Sequence, residues 1–300
     1  MQRVRLASGI ELAVEDVGPR EAPALLFLHG FPENHRTWRH QVAYFSDRYR
    51  CVAPDQRGYG ESDKPPRVGD YKVRKLVRDV FQLADALELR RFTIVGHDWG
   101  GALAWIVAAL GQLTGRVTRA VIANAPHPAL FPRLLWTDPA QRKASHYIRT
   151  FRDPANDALV REHGLAALLL KAFGEERLSA LPADEERTLL LEQWADPATA
   201  FAMLNWYRAS PVRVPADDAP YRMPWPRRPL LLPKVRIPTL VVWGMDDVAL
   251  VPANIEGLES WVSNLTVERI EGCGHFVPWE APAEVSRAME ALLRSSDSGG

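Results

Sequence analysis

The sequence predicts an α/β protein with a mostly parallel, eight-stranded sheet, flanked by helices and interrupted by a helical insertion. Three observations carry that prediction. Short apolar runs alternate with helical segments over residues 1–126 and again over 235–300, and such alternation requires right-handed crossovers and a largely parallel sheet. Over 127–234 the apolar strand runs stop and helical periods replace them. Finally, the run Phe92-Thr93-Ile94-Val95 passes through Gly96-His97-Asp98-Trp99-Gly100-Gly101 directly into the apolar segment Ala102–Ala109. That order is a buried strand, a sharp glycine-flanked turn and a buried helix.

The elements follow in order. Arg3–Ala7 and Glu11–Val17, separated by Ser8-Gly9, read as an antiparallel hairpin. Ala24–Leu28 is wholly apolar, as a strand covered on both faces should be. Trp38–Phe45 reads as helix and Arg50–Ala53 as strand. Over Tyr71–Leu87 the apolar residues Val73, Leu76, Val77, Val80, Phe81, Ala84 and Leu87 keep a helical period. The strand and helix of the turn come next, then a strand at Val117–Ala123. Within the insertion, Leu159–Phe173 and Glu185–Trp194 read as helices. The return path carries Pro211, Pro215, Pro220, Pro224, Pro226, Pro229 and Pro233, which predicts an extended, stiff segment. The alternation resumes with strand Thr239–Trp243, helix Ala253–Trp261, strand Leu265–Ile270 and helix Ala283–Leu293. The tail 295–300 reads as disordered. The core is therefore expected at 1–126 and 235–300, with 127–234 as a helical lid inserted in it.

Composition excludes several classes of function. The 300 residues carry no net charge, so neither nucleic acid nor an anionic membrane is an expected partner. Cys51 and Cys273 stand far apart and form no disulfide framework. With no apolar signal region at the first residues and no apolar run of membrane-spanning length, a cytoplasmic protein is expected.

The chemistry centres on Asp98. An aspartate after a strand is often only a helix N-cap, but here flanking motifs surround it. A carboxylate nucleophile forms an alkyl ester, so its target is an electrophilic sp³ carbon: an epoxide or a carbon–halogen bond. The base should be His275, in Gly272-Cys273-Gly274-His275-Phe276 after the last strand. Loops at the carboxyl ends of parallel strands converge on one face, which brings it toward Asp98. Asp247, in Gly244-Met245-Asp246-Asp247, is the expected orienting acid, with Asp246 the alternative one register step away. His29-Gly30-Phe31-Pro32-Glu33 forms a tight turn in which a cis bond at Pro32 is plausible. The Phe31 amide, with the Trp99 amide, would make an oxyanion hole. His29 is expected to be structural, His97 to point away from the site, and Pro54–Asp63 to buttress it.

Taken together, these pieces resemble the epoxide hydrolases of the α/β-hydrolase fold over almost the whole chain. The motifs are His29-Gly30-Phe31-Pro32-Glu33, Arg57-Gly58-Tyr59-Gly60-Glu61-Ser62-Asp63-Lys64-Pro65, Gly96-His97-Asp98-Trp99-Gly100-Gly101 and Gly272-Cys273-Gly274-His275. The resemblance implies two lid tyrosines above the nucleophile. Asn205-Trp206-Tyr207-Arg208 is similar to the segment carrying one of them, giving Tyr207. His146-Tyr147, followed by Phe151-Arg152-Asp153-Pro154, is similar to the other, giving Tyr147. The family often has Gln after that tyrosine where this chain has Ile148, and His146 is the alternative donor. Pro32, His146 and Trp206 are the implied substrate contacts. Leu168, Leu169, Phe173, Met203 and Trp206 suggest an apolar chamber, although a packing stripe looks the same. The implied partners are a small apolar epoxide and water, with no metal or cofactor, in a monomer or homodimer.

Haloalkane and haloacetate dehalogenases share the aspartate turn and are the alternative. Phe31, however, offers no halide donor, and Trp99 cannot hold a substrate carboxylate. A non-catalytic binding protein on the same fold should lack part of the triad, and all three members are present.

Overall fold

The computed structural model describes residues 1–174, 185–222 and 232–294. Its sheet contains β1 (Gln2–Arg5), β2 (Glu11–Val17), β3 (Ala24–Leu28), β4 (Arg50–Pro54), β5 (Phe92–His97), β6 (Val117–Ala123), β7 (Thr239–Gly244) and β8 (Leu265–Ile270). Their spatial order is β1-β2-β4-β3-β5-β6-β7-β8. β1 and β2 pair antiparallel, as do β2 and β4, while every later pairing is parallel.

Side chains of a strand alternate between two faces, and β3 shows what that alternation does here. Leu26 and Leu28 enter a core with the helices α2 (Val73–Ala86) and α3 (Asp98–Gly111). Leu25 and Phe27 enter the opposite core, against α1 (Arg39–Phe45) and the carboxyl-terminal helix. All five residues are buried. This double burial explains why the run reads as continuously apolar rather than alternating.

Between β6 and β7 lie α4 (Phe131–Thr137), α5 (Pro139–Ala144), α6 (Tyr147–Arg152), α7 (Asp157–Phe173), α8 (Glu185–Ala195) and α9 (Pro197–Ala209). Their starts are written locally: Asp138 accepts from the Gln141 amide before α5, and Asp196 from the Ala198 and Thr199 amides before α9, each with proline in the first turn. α7 is kinked at Gly164, whose φ of 73° is left-handed. A Cβ there would also stand 2.8 Å from the Trp194 carbonyl oxygen, so glycine lets α7 lie close against α8. Pro224, Pro226 and Pro229 of the proline-rich return, and the tail 295–300, fall outside the described residues.

One expected helix is absent. Residues 253–261 form two short 3₁₀ turns, Pro252–Ile255 and Leu258–Ser260, because Gly257 between them takes a φ of 77° and breaks any continuous helix. The chain closes with α10 (Val277–Glu280) and α11 (Pro282–Arg294).

The topology positions the site. The carboxyl ends of β3, β5, β6, β7 and β8 lie along one edge of the sheet. They deliver the Phe31 turn, Asp98, Asn124, Asp247 and His275 to that edge.

Candidate active site

The turn after β5 is held by close backbone approach. A Cβ on Gly96 would lie 2.4 Å from the Gly100 carbonyl oxygen, and one on Gly100 would lie 2.3 Å from that of Leu28. Glycine at both positions lets the helix start directly on the strand. Asp98 takes a φ of 49°, a left-handed conformation that costs a residue with a Cβ about 1–2 kcal/mol. That conformation directs its carboxylate off the strand end.

Three side chains meet there. His275 Nε2 is 3.6 Å from Asp98 Oδ2, and His275 Nδ1 is 2.6 Å from Asp247 Oδ2. Asp247 Oδ1 accepts the amides of Ala249 at 2.8 Å and Leu250 at 2.9 Å, and its Oδ2 also accepts Asn124 Nδ2 at 2.7 Å. The carboxylate is buried but fully partnered, and Nδ1 of His275 must carry the hydrogen it faces. Asp246 is exposed, and the contact recorded for it is its amide on the Cys273 carbonyl oxygen. Of the two neighbouring aspartates, it is Asp247 whose carboxylate meets the His275 ring.

Burial opposes charge on the His275 ring, but the attraction of Asp247 and then Asp98 outweighs it and holds the ring well above the ordinary histidine range. Burial likewise opposes the Asp98 carboxylate. The hydrogen bond and charge of His275, then His97 and the Phe31 amide, outweigh it and keep Asp98 below the ordinary aspartate range. The resting site therefore sets an Asp98 carboxylate that favours its charge beside a His275 ring that favours its proton.

The Phe31–Pro32 peptide is cis. The Phe31 amide donates to Asp98 Oδ1 at 2.8 Å, so the two oxygens of this carboxylate are distinct: Oδ1 on the amide, Oδ2 toward His275. The Trp99 amide lies in the first turn of α3, where the helix supplies no acceptor. His29 is fully buried and its Nε2 accepts the Gln56 amide at 3.0 Å, a contact that braces the turn. Pro32 serves the same turn, its carbonyl oxygen accepting the Trp194 indole of α8 at 2.7 Å. Arg57 in the buttressing loop makes a buried pair with Asp79, with Nη2 2.6 Å from Oδ1.

Above Asp98 stands an aromatic cluster. Tyr207 packs edge-on against Phe31 at 5.0 Å, Trp99 at 5.2 Å and Tyr147 at 6.0 Å between ring centres. Phe151 closes against both tyrosines, and Phe173 lies against Tyr147. Burial, then Tyr147 and Asp98, push the Tyr207 hydroxyl well above the ordinary tyrosine range, so it stays protonated. Trp206 packs behind Trp99 and donates its indole N–H to the Arg57 carbonyl oxygen at 2.9 Å, tying α9 to the core loop. Leu168, Leu169 and Met203 are buried in the common hydrophobic core.

His146 does not face this cluster. Its ring is 44% exposed and lies 2.8 Å from Asp217 on the return path, which Arg149 also binds. The expectation that His146 contacts substrate or replaces Tyr147 as donor is corrected on that ground. Short α6 turns Tyr147 inward and leaves its predecessor outside.

Two residues that brace the site carry no motif of their own. Asn124, at the end of β6 with a φ of 36°, donates to Asp247 and receives the Gly244 amide at 2.8 Å. Glu280 accepts the amides of Gly274 at 2.6 Å and Phe276 at 2.9 Å, bracketing His275. An asparagine closing a buried strand was the available signal for the first; the second arises from a turn whose shape the sequence does not reveal.

The chain matches the α/β-hydrolase fold family over residues 23–282. It is 32% identical to an epoxide hydrolase 3 of Xenopus tropicalis over 96% of this chain and 76% of that protein. A solved structure among novel epoxide hydrolases from metagenomes of hot environments is 58% identical, with a TM-score of 0.95 and 98% of each chain covered. This chain belongs to the epoxide hydrolases of the α/β-hydrolase fold. The epoxide hydrolase of Bacillus megaterium, solved with an inhibitor, is 29% identical with a TM-score of 0.82, covering 97% of this chain and 99% of its own. In this epoxide hydrolase the matched segment takes in the Phe31 turn, Asp98, Tyr147, Tyr207, Asp247 and His275. Among the described residues no group of His, Cys, Asp and Glu has metal-binding geometry, and no helix is long and apolar enough to cross a membrane.

Proposed function

We propose that the protein hydrolyses small apolar epoxides to vicinal diols through an ester on Asp98. The observation that supports it most is the pair of differentiated oxygens on Asp98, one on the Phe31 amide and one facing His275, beneath two buried tyrosines. The residues between β6 and β7, expected at 127–234, act as a lid that excludes water from the chamber.

The epoxide enters with its oxygen toward Tyr147 and Tyr207. Their hydroxyls donate to it, which stabilises the alkoxide as the ring opens. Asp98 Oδ2 attacks a ring carbon, the carbon–oxygen bond breaks, and the ring oxygen takes up a tyrosine proton. The product of this step is an alkyl ester of Asp98. His275, no longer facing a charged Asp98, gives up its proton as the tyrosinate recovers one; its neutral Nε2 then takes a proton from water, and the hydroxide adds to the Asp98 carboxyl carbon. The Phe31 and Trp99 amides hold the oxygen that becomes negative, while Asp247 holds the imidazolium. Collapse releases the diol and restores the carboxylate.

Esterification changes the base. Asp98 is one of the two anions that hold the His275 ring protonated. Once it is a neutral ester, Asp247 alone remains, and His275 loses its proton more readily. The base is thus set for the step in which it is needed.

The test is diol release from terminal and internal epoxides, measured beside halide release from haloalkanes and haloacetates, with Asp98→Asn as control. Diol without halide, lost in the variant, supports the reading; halide without diol overturns it.

A further inference from the structure

Among the buried titratable pairs that the chemistry above leaves unused, one adjoins the site directly. His97 precedes the nucleophile, is fully buried, and lies between two oxygens. Its Nδ1 is 3.0 Å from Glu33 Oε2, and its Nε2 is 2.8 Å from the backbone carbonyl oxygen of His275. A carbonyl oxygen only accepts, so Nε2 carries a hydrogen. Glu33 is equally buried. Burial opposes its charge, but His97 and the Trp279 indole outweigh that and keep its carboxyl below the ordinary glutamate range. Trp279 Nε1 donates to Glu33 Oε1 at 2.7 Å. Both oxygens of the Glu33 carboxylate are therefore engaged, one by the Trp279 indole and one by Nδ1 of His97. The pair is a buried Glu33 carboxylate joined to the His97 ring, with hydrogen bonds to Trp279 and to the His275 backbone on its outer sides.

Its connections are specific. Glu33 ends the turn after β3, His97 ends β5, and the accepting carbonyl belongs to the base itself in the loop after β8. The His97 ring also lies 4.9 Å from the His275 ring. Asp247 fixes the imidazole of His275; His97 fixes its backbone.

We infer that the Glu33–His97 pair positions His275 for hydrolysis of the ester, a reading that rests on the covalent mechanism proposed above. Neither residue reaches the reacting atoms. Alkylation needs Asp98 held on the Phe31 amide, and neither the Glu33 nor the His97 side chain hydrogen-bonds either of those groups. Hydrolysis needs Nε2 of His275 aimed at a water beside the Asp98 carboxyl carbon, and that aim depends on the backbone His97 holds. Loosening the pair therefore slows the second step and spares the first.

Rapid-quench kinetics with intact-mass detection of the alkyl-enzyme separates the two steps. Glu33→Gln keeps the volume and an acceptor for Trp279 but removes the charge. Trp279→Phe removes one donor to Glu33 and keeps the ring that stacks on Phe276 at 4.9 Å. Hydrolysis should fall about tenfold in Glu33→Gln and less in Trp279→Phe, with alkylation at the wild-type rate, so that ester accumulates. An equal fall in both steps, or an unchanged hydrolysis rate, overturns the assignment; should Glu33→Gln not fold, Trp279→Phe decides it. His275→Gln runs alongside. Ester in that variant but none in Glu33→Gln removes only the positioning role. Ester in neither removes the covalent reading, and this inference with it.

Discussion

His275 stands between two carboxylates, with Nδ1 2.6 Å from Asp247 and Nε2 3.6 Å from Asp98. The short contact orients the ring. In the proposed mechanism the longer one leaves room for Asp98 to react and for a water to follow.

Asp247 tests the orienting half. Asp247→Asn keeps the shape but puts an amide among four donors, from Ala249, Leu250, Asn124 and His275. Turnover should fall by about 10³- to 10⁴-fold, as expected when a base loses its preferred tautomer and the stabilisation of its cation. Steady-state diol release checks this, and a loss below tenfold would contradict it.

The tyrosines should act on the first step alone. Tyr207→Phe and Tyr147→Phe should each slow alkylation by about 10²-fold, the usual effect of removing one donor to a developing oxyanion, with thermal stability nearly unchanged. Pre-steady-state ester formation reads it. Wild-type alkylation in the double variant would remove the tyrosines from the mechanism.

The pH dependence follows from the signs of the shifts. Asp98 is held below its ordinary value of 3.8, so the nucleophile stays charged into mildly acid solution. His275 is held above 6.5 in the resting site and must be neutral to act. As pH falls from about 8 to about 5, hydrolysis should slow while alkylation persists, and the ester fraction should rise. Quenched mass spectra across that range test it; a constant or falling ester fraction would be inconsistent. Stability carries the same signs. Glu33, depressed from 4.5, contributes stability present above that value and lost as pH drops through its folded value. His275, raised, contributes stability that is complete below 6.5 and lost as pH climbs through its folded value.

The loop after β4 is a matter of stability. Arg57 and Asp79 are both buried, and Arg57 donates as well to the Asp70 carbonyl oxygen at 2.8 Å. Burial pushes Asp79 up despite that guanidinium. Arg57→Met should cost about 3–5 kcal/mol by leaving a buried carboxylate alone. Denaturant unfolding measures it, and a loss under about 1 kcal/mol would show that Asp79 takes up a proton or finds another partner.

The sequence makes Asp98 legible because glycines two residues to either side make a turn that presents one side chain. Strand ends do the same for His275 and Asp247, since parallel strands deliver their carboxyl-end loops to one place. The choice between Asp246 and Asp247 is less legible: it depends on which carboxylate turns toward the Ala249 and Leu250 amides. The facing of His146 and Tyr147 is illegible for a related reason. α6 spans only six residues, too few for a hydrophobic period to fix its rotation. Glu33 and His97 meet across 64 residues of sequence, a contact that only the folded sheet edge creates.

The covalent ester on Asp98 is the central claim, and mass spectrometry of the His275→Gln variant tests it most directly. Mixed with excess styrene oxide, acid-quenched and digested, that variant should show one adduct of the epoxide's mass on the peptide containing Asp98, absent in Asp98→Asn. An unmodified peptide, or an adduct on another residue, would contradict the account.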